Sequence, residues 1–256
     1  MLAEIRRQKI LEYIRKKNAV TTSELCEIFK VSRMTIRRDL KHLEEKGYIK
    51  ATYNGAILEL PNVELSFAEK YSSQQKEKRA IARKAFEFLF DNNFVAISGG
   101  TTNFALVEEI VNSDLKNLKV LTNSLNVAMK LIEKQDIELI IVGGKVREKS
   151  YECIGHQAIE FIEKYNISKF FMGIDGVSDR FGFSMASCEE AIVARALVSR
   201  SIETYVLADH TKFDKVFPGY VCDLRDVKAV VTDFKISSKL MEKYEKLGLE
   251  FIIAKT

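Results

Sequence analysis

The segment that most constrains the fold runs from residue 21 to residue 47 and reads TTSELCEIFKVSRMTIRRDLKHLEEKG. Thr21 and Glu24 have the spacing of a capping box, which satisfies free backbone N–H groups at the start of a helix. Ser32 is placed to cap a second helix in the same way. Along that helix the apolar residues recur at i, i+4 and i+7 and form one stripe: Ile36, Leu40 and Leu43. The segment predicts a helix-turn-helix.

The second helix carries basic and polar residues on or near the faces that its apolar stripe leaves free. They are Arg33, Thr35, Arg37, Arg38 and Lys41, with Ser32 at the cap. A helix fits the major groove of DNA, and an arginine fork matches the two acceptors of guanine there. Residues 1–60 carry 13 Lys and Arg against 8 Asp and Glu, a net charge of +5, whereas the other residues carry 27 against 28, a net charge of −1. This asymmetry favours double-stranded DNA as a partner over a merely solvated helix face.

A β-hairpin is predicted directly after the second helix. Tyr48–Tyr53 and Ala56–Leu60 resemble strands, and Asn54-Gly55 between them is a strong turn signal. This arrangement is a winged helix-turn-helix. Tyr53 and Asn54 near the tip are candidates for DNA contact, and an equal alternative is that the hairpin only covers the core of the three helices.

The chain has the length and composition for two hydrophobic cores. It has 256 residues, of which 46% are hydrophobic, and only 2 prolines. We expect a DNA-binding domain over 1–60, a linker over 61–78 and an effector-sensing domain over 79–256. The absence of an apolar run near 18 residues predicts a cytoplasmic protein. The scattered cysteines are interpreted as buried thiols, and neither they nor the isolated histidines predict a metal site: Cys26, Cys153, Cys188, Cys222, His42, His156 and His210.

Strand-like and helix-like segments alternate after the linker. The predicted strands are 94–97, 118–121, 138–142, 169–172, 203–207 and 229–231, and the predicted helices include 103–112, 125–134, 154–165 and 188–200. Alternation of this kind indicates a mostly parallel sheet with helices on both faces. The fold class expected is thus an α+β winged helix-turn-helix domain followed by an α/β domain.

Polar loops follow the predicted strands, at the sheet edge where open parallel sheets bind ligands. Glycines, hydroxyls and a helix N-terminus after the first strand suit an anion. The candidate effector residues are Ser98, Gly99, Gly100, Thr101, Thr102, Asn123, Ser124, Lys145, Arg147, Asp175, Gly176 and Lys212. Each loop alone is a common turn sequence, but together they suit a small phosphorylated polyol or sugar.

Nearly the whole chain resembles the DeoR family of bacterial transcription regulators. The resemblance rests on RRQKILEYI, VSRMTIRRDL, EKRAIA, SGGTTN, TNS, VGGKVR, GIDG, LADHTKF and VVTD, in this order. It implies a repressor of a carbohydrate operon whose C-terminal domain, similar to ribose-5-phosphate isomerase, senses a phosphorylated sugar. It also implies that residues 98–102 cradle the phosphate and that other candidates surround the rest of the effector: Asn123, Lys145, Arg147, Asp175 and Lys212.

Three positions depart from the family pattern. Ser98-Gly99 stands where the family usually has Asp-Ser, which removes a carboxylate and a hydroxyl. Ala194 replaces a common lysine, and Tyr53-Asn54-Gly55 replaces His-Gly-Gly in the wing. The identity of the effector is the inference that these departures affect most.

Two alternatives concern the C-terminal domain. Instead of a sensor it could be a sugar-phosphate isomerase, with a base and oxyanion-stabilising groups drawn from Asp175, Glu189, Glu190 and Lys212, or a purely structural domain. The acidic loop of the isomerase appears here as Gly-Ile-Asp-Gly, and FGFSMAS lacks the lysine and glycines of the enzyme. We therefore expect no catalytic residues and no cofactor. Because one short helix reads few bases, we expect a dimer or tetramer, with the 61–78 segment as the joint between sensor and reader.

Overall fold

The computed structural model describes residues 3–17, 19–45, 48–52, 54–58 and 65–255. The chain divides into two compact units, residues 1–64 and residues 65–256. Each unit has its own hydrophobic core.

The N-terminal unit contains helices packed on a small antiparallel sheet. Its elements are α1 (Ala3–Lys17), β1 (Ala19–Thr21), α2 (Thr22–Phe29), α3 (Arg33–Glu45), β2 (Ile49–Thr52) and β3 (Gly55–Leu58), and the strand order is β1-β3-β2. Ile10 and Ile14 of α1 join Leu25 of α2 and the stripe of α3 in one core, with Ile36 fully buried. The predicted helix-turn-helix with a wing is confirmed.

Local hydrogen bonds explain where α2 and α3 begin. The Thr21 hydroxyl accepts from the Glu24 N–H at 3.1 Å, and the Glu24 carboxylate accepts from the Thr21 N–H at 3.4 Å. The Ser32 hydroxyl accepts from the Thr35 N–H at 3.2 Å. Both predicted caps are present.

The predicted turn of the wing is wrong by one residue. Gly55 belongs to β3, where it pairs with Thr52 of β2 and Thr21 of β1. A Cβ at Gly55 would lie 1.9 Å from the carbonyl oxygen of Val20. The glycine is therefore required by the close approach of β1, which the two-strand prediction did not include.

The C-terminal unit is built on a parallel sheet in the order β15-β14-β12-β9-β4-β5-β6. These strands are β4 (Phe94–Ile97), β5 (Leu118–Thr122), β6 (Ile137–Ile141), β9 (Ile167–Gly173), β12 (Ser201–Leu207), β14 (Ala229–Asp233) and β15 (Phe251–Ala254). The helices are α4 (Phe67–Tyr71), α5 (Gln75–Phe86), α6 (Thr101–Val111), α7 (Leu125–Leu131), α8 (His156–Ile162), α9 (Cys188–Ser199) and α10 (Ser238–Glu245). The predicted α/β class with a parallel sheet is confirmed.

The C-terminal unit has two hydrophobic clusters, and each contains a different set of helices. One includes Ala82 of α5, Leu106 of α6 and Val127 of α7, and the other includes Ala158 of α8 and Tyr244 of α10. Successive side chains of a strand point to opposite faces, so neighbouring residues Phe170 and Phe171 of β9 belong to different clusters. The sheet is thus covered on both faces.

Two small antiparallel sheets were not predicted. One pairs β7 (Lys145–Arg147) with β8 (Glu152–Ile154), and the other has the order β10-β11-β13 from Gly176–Ser178, Gly182–Met185 and Gly219–Cys222. Their strands have three or four residues, too few for a period to be recognised in the sequence. They add loops at the sheet edge where the effector candidates lie.

The predicted linker 61–78 differs from the structure in its second part. Residues 67–71 form α4, which Ser66 caps, and α5 begins at Gln75. The Phe67 N–H donates to the Lys149 carbonyl at 2.7 Å, and the Phe67 ring packs on Phe104 and Tyr151. These contacts dock a single helical turn on the sensor unit, and sequence periodicity does not reveal so short a helix.

The cysteines are free thiols, as expected, but they are not all buried. Cys153 and Cys222 are buried, Cys26 is half-buried, and Cys188 at the start of α9 is exposed. Within the described residues, no helix has the length and apolar character needed to span a bilayer.

Candidate DNA interface and effector pocket

The predicted DNA-binding residues of α3 lie on its solvent side. Arg33, Arg37, Arg38 and Lys41 are exposed, Thr35 is half-buried, and the cap Ser32 and the wing residue Asn54 are exposed. Tyr53 lies outside the described residues. The apolar stripe fixes the rotation of the helix, and the arginines are consequently directed away from the core.

Some of these side chains already make hydrogen bonds within the protein, and others remain available for contact with DNA. The Arg33 guanidinium donates to the Ser23 hydroxyl of α2 at 3.1 Å, and the Ser32 and Thr35 hydroxyls lie 3.0 Å apart. No hydrogen bond or ion pair among the described residues engages Arg37, Arg38 or Lys41. These three cations form a free basic surface on α3.

Two other arginines of the basic segment have a different role. Arg6 and Arg7 of α1 donate to the two oxygens of Asp39 at 2.6 and 2.9 Å, and the Asp39 side chain is 1% exposed. The hydrogen bond to Asp39 raises the pKa of Arg6, against the effect of burial. These ion pairs join α1 to the buried side of α3.

The loop after β4 leads directly into α6. Gly100 is the N-cap residue of α6 and has a φ of +96°, a conformation that strongly favours glycine. The first N–H groups of a helix have no carbonyl partner within it, which makes them suitable for an anion. Ser98, Thr101 and Thr102 next to this turn are buried.

Hydrogen bonds hold the loops after β4 and β9 together. The Ser98 hydroxyl accepts from the Gly173 N–H at 3.2 Å. The Asn103 amide donates to the carbonyl oxygens of Ser98 and Phe171, both at 3.0 Å. A Cβ at Gly173 would lie 2.9 Å from the Gly99 oxygen. The loops after β4 and β9 therefore meet, as the parallel-sheet rule predicts.

Asp175, the carboxylate after β9, is paired with a lysine that the sequence did not suggest. Lys70 of α4 lies 2.7 Å from its Oδ1, and the Ala186 N–H donates to its Oδ2 at 3.0 Å. Burial raises the pKa of Asp175, but attraction to Lys70 and Lys212 outweighs it, and the pKa falls below its usual range. Asp175 is consequently ionised at neutral pH.

A second buried carboxyl group, Glu152 of β8, lies against the candidate loops. Its Oε2 accepts from the Asn123 amide at 2.9 Å. Burial and the nearby Glu190 raise the pKa of Glu152 to about 8, although the Asn123 hydrogen bond and Lys70 oppose the change. Burial therefore favours the protonated form of Glu152.

The remaining candidate effector residues differ in how deeply they are buried. Arg147 lies 3.4 Å from Glu190 of α9 and is largely buried, whereas Lys145 is exposed and lies 3.6 Å from Glu189. Lys212 is half-buried in the turn after Asp209. Gly176 and Ser124 have structural partners: a Cβ at Gly176 would lie 2.6 Å from the Lys215 oxygen, and the Ser124 hydroxyl bonds Asn126.

Sequence reasoning missed Lys70, Lys78 and Glu152. Lys78 of α5 donates to the Ser73 carbonyl at 2.7 Å, and burial lowers its pKa to about 8 against the attraction of Asp209. The sequence carried no signal for Glu152, because β8 is too short to be recognised as a buried strand. Within the part of the chain that the structure describes, no group of three or more His, Cys, Asp and Glu side chains is arranged to hold a metal ion.

Comparison with known proteins agrees with both units. Residues 6–60 match the DeoR-like helix-turn-helix domain, and residues 73–234 match the DeoR C-terminal sensor domain. The lactose phosphotransferase system repressor of Staphylococcus epidermidis is 33% identical, over 94% of this chain and 95% of the relative. The glycerol-3-phosphate regulon repressor of Escherichia coli is 32% identical, over 89% of this chain and 90% of the relative. Among solved structures, a probable sor operon regulator of Shigella flexneri has a TM-score of 0.44 and 12% identity, covering 78% of this chain and 97% of that chain. The chain belongs to the DeoR family of DNA-binding transcriptional regulators.

Proposed function

We propose that this regulator represses an operon of carbohydrate metabolism and that a phosphorylated sugar or sugar-like metabolite controls its affinity for operator DNA. The exposed cations of α3 support the DNA contact, and the loop before α6 supports an anionic effector. Two relatives are named for sugar or polyol phosphate systems, lactose phosphotransferase and glycerol 3-phosphate. The operator lies in the cytoplasm, and we place the protein there.

The DNA-binding residues of this proposal are those of α3 and the wing. Arg37 and Arg38 contact bases or phosphates, with Lys41 beside them and Ser32, Arg33 and Thr35 seating the helix. Asn54, together with Tyr53, contacts the backbone next to the major groove. One such helix reads few base pairs, so we propose that the repressor is a dimer or tetramer whose symmetry sets the spacing of the half-sites.

The effector residues surround the edge of the sheet. Residues 98–102 hold the phosphate at the start of α6. Asn123, Arg147, Asp175 and Lys212 line the deeper part, and Lys145 lies at the rim. Ser124 and Gly176 shape the site through the backbone rather than through contact with the effector.

The observation that carries regulation is the ion pair between Lys70 and Asp175. Lys70 belongs to α4, the first helix of the sensor unit, and Asp175 belongs to the effector pocket. An anionic effector attracts Lys70 and changes the partner of Asp175, and α4 then shifts. This replaces our sequence-based picture of the whole 61–78 segment as a joint, because residues 67–78 are packed on the sensor.

Calorimetric titration with and without operator DNA tests this coupling. A coupling free energy of about 1–3 kcal/mol corresponds to a change of about 5- to 150-fold in affinity, and it is reciprocal. We expect sugar-phosphate affinity to differ between the two titrations in the parent. Lys70→Met should reduce that difference, whereas Thr101→Ala/Thr102→Ala should weaken sugar-phosphate binding itself. Equal affinities with and without operator, for a metabolite that binds the pocket, would show that the domain is structural only.

The second candidate is an isomerase, favoured only by the carboxylates at the sheet edge. Asp175 is ionised but held by Lys70, and Glu190 is near Arg147, so neither is arranged as a free base. Relatives over nearly the full length are named repressors, which supports a role without catalysis. An assay with pentose phosphates that showed turnover abolished in Asp175→Asn would establish the enzyme instead.

A further inference from the structure

Glu152 lies where a side chain of the phosphate loop would otherwise be. A Cβ built at Gly99 would be 2.3 Å from Oε1 of Glu152 and 2.6 Å from its Cδ. The carboxyl group therefore rests directly on the α-carbon of Gly99. The backbone of Gly99 does not have the positive φ that would itself require glycine. With Glu152 in this position, only a glycine fits at 99 without displacing the carboxyl group.

Hydrogen bonding gives the two carboxyl oxygens different roles. Oε2 accepts from the Asn123 amide at 2.9 Å, and Asn123 also accepts from the Cys153 N–H through its backbone oxygen at 2.6 Å. Burial and the nearby Glu190 raise the pKa of Glu152, which favours the protonated form of the group. Because Oε2 accepts from the amide, a proton on the carboxyl group would sit on Oε1 next to Gly99 and make that oxygen a donor. A neutral acid at this position does not repel an anion bound at the loop.

Asn123 has an unused acceptor. The residue is 2% exposed, and its Oδ1 has no hydrogen-bond partner among the described residues. A buried amide oxygen without a donor is costly, and it is typically satisfied by a water or a ligand. The pair thus presents one donor, Oε1 of Glu152, and one acceptor, Oδ1 of Asn123. A hydroxyl group is the simplest ligand group that accepts from one and donates to the other.

We propose that Glu152, together with Asn123, binds a hydroxyl group of the effector beside the phosphate loop and so determines which phosphorylated metabolite the sensor accepts. This inference rests on the proposed function, because it assumes that a phosphorylated compound occupies the pocket. The carboxyl group that distinguishes the ligand comes from β8. Gly99 of the phosphate loop contributes to this selection only by leaving room for that group.

Affinities for inorganic phosphate and for a panel of sugar and polyol phosphates separate this role from a structural one. In Glu152→Leu we expect the affinity for the sugar phosphate preferred by the parent to fall about 10- to 100-fold, as for an unmatched buried hydroxyl. Affinity for inorganic phosphate should stay within about twofold. Glu152→Gln retains a donor and an acceptor and should stay within about threefold of the parent for both ligands.

A paired substitution keeps the test valid if Glu152→Leu does not fold. Gly99→Ser alone should destabilise the sensor, because its Cβ meets the carboxyl group. Gly99→Ser/Glu152→Ala should fold and change the order of preference among the sugar phosphates. Equal losses for phosphate and sugar phosphate, or an unchanged order in the double variant, would overturn the inference while leaving the effector pocket in place. A parent that binds neither ligand would overturn the proposed function as well.

Discussion

Replacement of Asp39 by alanine should loosen α1 from α3. In the parent, Asp39 accepts from Arg6 and Arg7 at 2.6 and 2.9 Å. A hydrogen bond to a charged group contributes about 1.5–3 kcal/mol. Two effects offset part of this loss. The Arg6 and Arg7 side chains are 12% and 21% exposed in the parent, so water can hydrogen-bond to them in the variant. Alanine also has a higher helix propensity than aspartate, by up to about 0.7 kcal/mol. The two bonds together contribute about 3–6 kcal/mol, and after these offsets we expect a net loss of about 2–3 kcal/mol in the N-terminal unit.

Amide hydrogen exchange followed by mass spectrometry resolves this loss by region. A change of about 2–3 kcal/mol in opening free energy corresponds to exchange that is about 30- to 150-fold faster in peptides of α1 and α3. Peptides of the sheet in the C-terminal unit serve as an internal reference and should not change. Glu45→Ala, which removes an equal charge from an exposed position of α3, is the matched control. Parental exchange of α1 and α3 in Asp39→Ala would refute the view that these ion pairs hold the unit together.

Two further predictions concern the arginines of α3 and the buried Lys78 of α5. Arg37→Ala/Arg38→Ala should weaken operator binding by about 1–3 kcal/mol for each arginine that reads a base. For each arginine that binds a phosphate, the dependence of the logarithm of affinity on the logarithm of salt concentration should become shallower by about one unit. Unchanged affinity across a salt series of footprinting experiments would exclude α3 as the helix that reads the operator. Lys78→Met should remove a pH dependence of the free energy of unfolding. Between about pH 8 and 10.5 the unfolded state of the parent binds more protons than the native state, because burial lowers the pKa of Lys78. As the pH rises through this range, urea unfolding should show the parent gaining up to about 1.36 kcal/mol per pH unit relative to the variant. Parallel pH profiles of the two proteins would contradict the burial of a charged Lys78.

Elements with a strong period or a defined cap were predictable from the sequence. The stripe of Ile36 in α3, the caps at Thr21 and Ser32 and the alternating strands of the sensor all follow from local spacing. The same holds for the contact between Ser98 and Gly173, because parallel strands bring the loops at their carboxyl ends together.

Contacts between distant residues were not predictable. Lys70 and Asp175 are 105 positions apart, and nothing in the polar sequence around Lys70 indicates that partner. The charge count treated Arg6 and Arg7 as part of a DNA-binding surface, whereas Asp39 holds both. Residue composition locates a basic domain, but only tertiary structure shows which of its cations remain free.

The contact between Gly99 and Glu152 limits the order in which this sequence can change. A larger residue at position 99 clashes with the carboxyl group as long as Glu152 is present. A smaller residue at position 152, by contrast, is compatible with glycine at position 99. A path from this chain toward a loop with a side chain at 99 is therefore least strained if position 152 changes first, and the reverse path is least strained if the loop side chain is lost before a glutamate enters β8.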